Sequence, residues 1–270
     1  MDHQRDDTTN RFDLFKAALG GGSLTNKTLL DWGGNRGNIV HFSNGEIAES
    51  NYTSVDVDND SLVSGKLEFP DANFIHYNRY NWCYNHAGST TEAFPTLESS
   101  YNYVISYSVY THTDYQDMRD AVVYLKENVN YDTMLIHFYS LLEHEPQEWF
   151  MQKRASKFGS CVDFVTEARK SDTNTVTLFD HDHMEVNTLN FDKRDSNNCL
   201  TFHRPAWLLS QFSDLGATLL TVGRTSSGNP NDAQNINDID PTISALDISN
   251  IDFKDAGFGL PRRYFLKFTS

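Results

Sequence analysis

The chain has 270 residues, of which 22 are Lys or Arg and 37 Asp or Glu, a net charge of −15 at pH 7. That charge, a pI near 4.9 and the lack of any basic run longer than Arg262-Arg263 argue against a nucleic-acid partner, because the surface repels phosphates. Apolar residues make up 39%, with 18 Phe and 13 Tyr, which is enough for a buried core and excludes wholesale disorder.

Taken in chain order, residues 1–9 read as a polar tail without the apolar stretch of a secretory signal. From Asn10, residues Phe12, Phe15, Ala18 and Leu19 fall on one helical face, and Gly20-Gly21-Gly22-Ser23 stops the helix. Thr28 to Trp32 reads as a buried strand running straight into a Gly-rich turn. Asn51 to Val57 is a second strand, after which Asp58 caps a helix. Phe74 to Tyr77 is a third strand and Tyr103 to Tyr107 a fourth. Thr113 and Gln116 have capping-box spacing, ahead of a helical stripe of Met118, Ala121, Val122, Leu125 and Val129. Thr133 to Tyr139 is a fifth strand. It belongs to the longest nearly uncharged apolar stretch, Thr133 to Leu142, which is about half the length of a membrane span. Glu148 to Lys170 has helical composition, and Thr175 to Val186 looks extended. Pro205 to Leu215 reads as a helix ended by Gly216, Ala217 to Val222 as a strand, 224–250 as a long loop, and Tyr264 to Phe268 as a closing strand.

Strands alternating with helices predict an α/β fold: a parallel sheet with helices on both faces. About 60 residues separate the fifth strand from the Pro205 helix, against the dozen or so of an ordinary crossover. Residues 141–201 are therefore expected to be an inserted cap after the fifth strand, between a core of 10–140 and the rest of that core in 202–270. Cys83, Cys161 and Cys199 are odd in number and widely spaced, with no CxxC. They suit a reducing, cytoplasmic compartment and no thiolate metal site.

The strongest motif is Leu29-Leu30-Asp31-Trp32-Gly33-Gly34-Asn35-Arg36-Gly37-Asn38. A strand ends in Asp, and Gly33, Gly34 and Gly37 follow in the turn, where glycines permit positive φ and close backbone approach to a ligand. The dinucleotide fingerprint GxGxxG wants Gly at 35 and 38, and both are Asn. The D-x-G-x-x-x-G spacing instead resembles the first motif of class I S-adenosylmethionine (SAM)-dependent methyltransferases. That resemblance covers about residues 10–140 in order and spacing, and extends weakly to 202–222. It implies a Rossmann-like sheet, SAM as methyl donor, and a donor site at Asp31, Gly33, Gly34 and Gly37. Asp56, at the end of the second strand, then accepts from the two ribose hydroxyls. Asn78, followed by Arg79, stands after the third strand where the family usually has an Asp for the adenine amino group. Tyr107 borders the methyl group, and Asn102 replaces the family's usual Asp at the start of the fourth strand. An ordinary tight turn and a strand-end Asp capping a turn are the plain readings of the first two motifs.

Methyl transfer to a hydroxyl or ammonium needs a destination for a proton, and a His is the usual one. His112, just past the fourth strand, is the first candidate base, against a helix-start His bonding backbone. His144 after the fifth strand is the second, against a solvated loop. Tyr110 is a candidate for the acceptor pocket, against ordinary packing. In Asp180-His181-Asp182-His183-Met184-Glu185, His181 and His183 share one strand face. Two ligands do not complete a metal site, so no metal is expected, and the pair is assigned either to polar contacts with substrate or to a solvated edge. The expected activity is methylation, at O or N, of a small-molecule or peptide acceptor, with no nucleic acid and no membrane. The alternative is a Rossmann-like nucleotide-binding protein without methyl transfer, such as a dehydrogenase relative.

Overall fold

The computed structural model describes residues 11–81, 84–97, 100–111, 113, 115–140, 166–170, 175–180, 198–203, 205–222, 233–235 and 263–270. Along the chain run α1 (Arg11–Ala18), β1 (Leu29–Trp32), α2 (Asn38–Phe42), β2 (Tyr52–Asp56), α3 (Asn59–Glu68), β3 (Asn73–His76), β4 (Tyr101–Ser106), α4 (Tyr115–Asn128) and β5 (Tyr131–Ser140). They are followed by β6 (Thr166–Lys170), β7 (Thr175–Asp180), β8 (Asn198–His203), α5 (Pro205–Gln211), β9 (Thr218–Val222), β10 (Ala233–Asn235) and β11 (Arg263–Thr269). No helix among the described residues is long and apolar enough to cross a membrane.

The sheet order is β10-β9-β11-β5-β4-β1-β2-β3. Strands β3, β2, β1, β4 and β5 are mutually parallel, as the alternation of strands and helices predicts. The order reverses between β1 and β4, so a crevice opens outside their carboxyl ends, where doubly wound sheets take their ligands. The sheet is mixed at its far edge. There β11 runs antiparallel to β5 and to β9, and β10 antiparallel to β9.

Alternate strand residues go to opposite faces, as the pleat requires. Leu30, Val104, Met134, Ile136 and Phe138 pack with Met118, Ala121, Val122 and Leu125 of α4. Leu29, Ile105 and Leu135 pack with Phe12 and Phe15 of α1 and with Ile39 and Val40 of α2. This two-sided burial is why the strands read as near-continuous apolar runs. Each fully buried Leu, Phe or Met here contributes about 1.5–3 kcal/mol relative to exposure.

Local chemistry sets the element ends. Asp58 caps α3 as expected, its Oδ1 accepting from the N–H of Asp60 (3.1 Å) and Ser61 (3.2 Å). Gly65 inside α3 costs about 1 kcal/mol in helix propensity. A Cβ there would stand 2.5 Å from Phe74 and 3.1 Å from the backbone of Arg36, so glycine lets α3 lie directly on β3 and on the Gly-rich turn. The Gln116 carboxamide donates to Asp120 one turn on (2.7 Å). Asn102, at the amino end of β4, accepts from the Thr28 N–H (3.1 Å) and donates to Asp132 (2.7 Å). It ties three strands together at the end opposite the ligand crevice.

The connection from β3 to β4 holds no helix among its described residues. Arg79 bridges to Ser89 and Asn81 to Asn85, and aromatic rings cover the sheet instead. Phe94 stacks on Tyr124 (4.5 Å between centroids, 14° between planes) and packs on Tyr77 (5.5 Å) and Trp32 (6.0 Å).

In the second half, β6 stands where helical composition was expected over Glu148 to Lys170, because Thr166–Lys170 pair in register with Val176–Asp180 of β7 and pairing overrides propensity. β10 falls inside the expected loop 224–250; with three residues it carries no readable period. β8, which the sequence reading missed, is antiparallel to β7 and parallel to the last two residues of β5, Tyr139 and Ser140. The β6-β7-β8 sheet therefore extends from the carboxyl end of β5, the edge on which the crevice opens.

Candidate functional site

The turn after β1 alternates left-handed and ordinary residues: Gly33 has φ 79°, Asn35 52° and Gly37 84°. The middle position is held by Asn, which tolerates the left-handed region better than other residues with a Cβ. The Asn35 side chain accepts from the Arg36 N–H (2.8 Å), and this steadies the conformation. The missing glycine at 35, read from the sequence as a departure from the dinucleotide pattern, is thus replaced conformationally.

Alternation of this kind turns backbone N–H groups into a concavity that can bind an anion. Here four of those donors are used inside the fold. Gly33 N–H donates to the Val55 carbonyl (2.7 Å), Asn35 N–H to Asp56 Oδ2 (2.8 Å), Arg36 N–H to Asn35, and Gly37 N–H to the Gly34 carbonyl (3.0 Å). The helix behind the turn, α2, has only five residues. An N–H spent within the turn cannot also hold a pyrophosphate.

The turn folds back onto β2. A Cβ on Gly34 would stand 2.6 Å from Ser54 Oγ and 2.8 Å from both the Asp31 carboxyl carbon and the Tyr52 hydroxyl oxygen. Asp31 is 3% exposed and accepts from the Tyr52 hydroxyl at 2.7 Å. Burial, reinforced by the Asp31 charge, pushes the Tyr52 phenol well up, so it stays a donor. The structure thus puts the Asp31 carboxylate beneath the turn, against Gly34 and Tyr52. At Gly33 a Cβ would overlap Cγ2 of Val109, so the space is taken by the chain after β4. Glycine at 33 therefore admits Val109.

Asp56 ends β2 beside this turn and is half-buried. Its Oδ2 takes the Asn35 N–H and its Oδ1 the Asp58 N–H (2.9 Å), leaving each oxygen a further lone pair. Burial pushes its carboxyl up to about 6, the backbone amides of Asp58 and Asn35 pull it down, and the Asp58 charge adds to the rise.

Asn78 is exposed, and its Oδ1 accepts from Asn85 (3.1 Å). The Arg79 guanidinium pairs with Asp117 of α4 (3.3 Å) and bonds the Glu92 carbonyl (3.5 Å), bracing the loop. Tyr107 is half-buried and stacks on His137 (4.4 Å, 22°). Tyr110 is 2% exposed and lies in the core under α4; neither its hydroxyl nor that of Ser106 has a hydrogen-bond partner among the described residues. Burial, then the Asp117 charge, pushes the Tyr110 phenol upward, so it is a donor and not a base. His112, His144, His181 and His183 lie outside the described residues. Among the described residues no group of three or more His, Cys, Asp or Glu side chains is arranged to hold a metal ion.

Tyr52, Ser54, Val109 and His137 shape the site and were not singled out by the sequence reading. Period-two alternation puts Tyr52, Ser54 and Asp56 on one face of β2, so the first two were within reach of it. His137 is a lone His within an apolar strand, a pattern that reads as packing.

No protein-family model and no curated protein sequence matches the chain. Among solved structures it is similar to DesVI of Streptomyces venezuelae, at 12% identity over 97% of this chain and 92% of that one, with a TM-score of 0.49. It is similar to the glycopeptide N-methyltransferase MtfA, solved with sinefungin, at 11% identity over 97% and 86% with a TM-score of 0.49. It is also similar to SAM-bound CalS10, an amino pentose methyltransferase of Micromonospora echinaspora involved in calicheamicin biosynthesis, at 10% identity over 97% and 89% with a TM-score of 0.46.

Proposed function

We propose that the chain is a SAM-dependent methyltransferase acting on a small-molecule or peptide acceptor at oxygen or nitrogen. The observation that carries this reading is the combination of a β1 turn whose N–H groups at 33, 35, 36 and 37 are bonded internally with a carboxylate, Asp56, at the neighbouring strand end. Such a site suits a nucleoside with a ribose diol and no pyrophosphate. It disfavours the dinucleotide alternative, which needs those donors.

SAM bound there supplies a methyl group on a sulfonium, ready for in-line displacement. The remaining work falls to the chain. Asp56 accepts from the ribose hydroxyls, Asn78 from the adenine amino group, and the turn after β4, with Tyr107, walls the methyl position. The site must hold donor and acceptor in line and exclude water. His112 is the candidate to take or orient the acceptor's proton, with His144 second. Residues 141–201, with His181 and His183, are the candidates for acceptor choice, whereas Tyr110, expected to line the acceptor pocket, packs in the core instead. The net charge of −15 supports a partner other than nucleic acid, and the three scattered cysteines support a reducing, cytoplasmic setting.

Titration calorimetry with SAM, S-adenosylhomocysteine and NAD tests the reading. SAM and S-adenosylhomocysteine are expected to bind and NAD not to. Binding of NAD without SAM would overturn it in favour of the dinucleotide alternative.

A further inference from the structure

Ser108, in the turn after β4, has φ 62°. A residue with a Cβ is strained there and persists only where its surroundings over-determine it. Three bonds do so. The Ser108 N–H donates to His137 Nδ1 (3.3 Å), the Thr111 hydroxyl donates to the Ser108 carbonyl (2.9 Å), and the two hydroxyls lie 3.1 Å apart. Only the first reaches outside the turn. It comes from the middle of the sheet, since His137 lies on β5, is 1% exposed, and is paired in register with Phe265 of β11. Its ring lies between Tyr107, stacked at 4.4 Å, and Phe265 at 5.5 Å, so its orientation is fixed by packing. A nitrogen that accepts an N–H carries no proton, so the neutral ring holds its proton on Nε2.

The residue after Ser108 is Val109, whose Cγ2 fills the space above Gly33. His137 thus connects, through one turn, to the first glycine of the β1 motif. The two loops that meet are those at the carboxyl ends of β4 and β1, the pair flanking the switch point.

We propose that His137 is a positioning residue for the donor site: its Nδ1 holds Ser108 left-handed and thereby seats Val109 against the Gly33 turn. This rests on the reading of that crevice as a SAM site. It assigns work to a buried His that the mechanism above does not use.

Two variants separate the acceptor nitrogen from the ring. His137→Phe keeps a ring against Tyr107 and removes the acceptor. His137→Asn puts a carboxamide oxygen near the place of Nδ1. By calorimetry with SAM, His137→Phe is expected to bind about tenfold more weakly, the value of one hydrogen bond, and His137→Asn to return within about threefold of wild type. Long-range 1H–15N spectra of the wild type should show the Nε2–H tautomer at His137. In His137→Phe the amides of Ser108, Val109 and Gly33 should shift together while the rest of the spectrum stays that of the folded protein. SAM affinity unchanged in His137→Phe, no recovery in His137→Asn, or a proton on Nδ1 would each overturn the proposal. If His137→Phe fails to fold, the tautomer and the Asn variant still decide. If folded wild type does not bind SAM, the methyltransferase reading fails, and the positioning claim is then decided by the tautomer and by whether the Gly33 amide moves with Ser108.

Discussion

Acid should loosen the donor through Asp56. Its carboxyl is pushed up to about 6, chiefly by burial. Ribose hydroxyls need it ionised, because a protonated carboxyl gives up acceptor capacity. With that pKa the group is about 97% ionised at pH 7.5 and about a tenth ionised at pH 5. If only the ionised form binds well, SAM affinity falls about tenfold between those pH values, or about 1.4 kcal/mol. Without ligand the sign is opposite. A folded-state pKa raised from the ordinary 3.8 means that this group's contribution to stability is full below about 3.8 and is lost as pH rises through about 6, by at most about 3 kcal/mol. The melting-temperature gain produced by SAM should therefore grow with pH across that window. Asp56→Asn is the control, since it removes the titration while keeping an oxygen for one of the two backbone amides, those of Asn35 and Asp58. It should bind SAM about 1.5–3 kcal/mol more weakly at pH 7.5, with no pH dependence from this group. Calorimetry at pH 5, 6 and 7.5 on both proteins provides the measurement. A flat wild-type profile, or an Asn variant as pH-dependent as wild type, would refute the reasoning and move the ribose contact elsewhere.

The Gly33–Val109 contact predicts a coupled pair. Gly33→Ala should lose about 2 kcal/mol or more in denaturant unfolding, from the left-handed φ and the overlap, and adding Val109→Ala should recover the overlap part alone. At Asn35, replacement by Gly should be near neutral, whereas replacement by Ala should cost about 1–2 kcal/mol, since Ala lacks both the left-handed tolerance and the oxygen that takes the Arg36 N–H. Once an acceptor is in hand, His112→Ala should bind SAM within about threefold of wild type yet turn over at least about a hundredfold more slowly, the ordinary cost of losing a general base. A kcat within a few-fold of wild type, with lowered melting temperature, would make His112 a structural residue instead.

What the sequence determined by itself is what local periodicity and short-range chemistry encode. Leu29 to Trp32, Tyr52 to Asp56 and the Met118-Ala121-Val122-Leu125 stripe are legible because strands buried on both faces, and helices buried on one, must carry those patterns. The Asp58 cap and the Gly-rich turn are legible because few residue types satisfy such geometry. The tertiary structure decided the rest, through partners distant in the chain. Thr166–Lys170 is a strand because Val176–Asp180 lies beside it, and Asn198–His203 because β7 and the end of β5 do. Asn35 takes a left-handed position where the dinucleotide fingerprint has glycine, and only the observed φ reveals it. Gly33 turned out to make room for Val109, and a buried His137 to hold Ser108, because the carboxyl ends of β1, β4 and β5 meet in space though they lie far apart in sequence. Contacts over that span leave no period and no spacing in the chain, so they become readable only after the sheet has assembled.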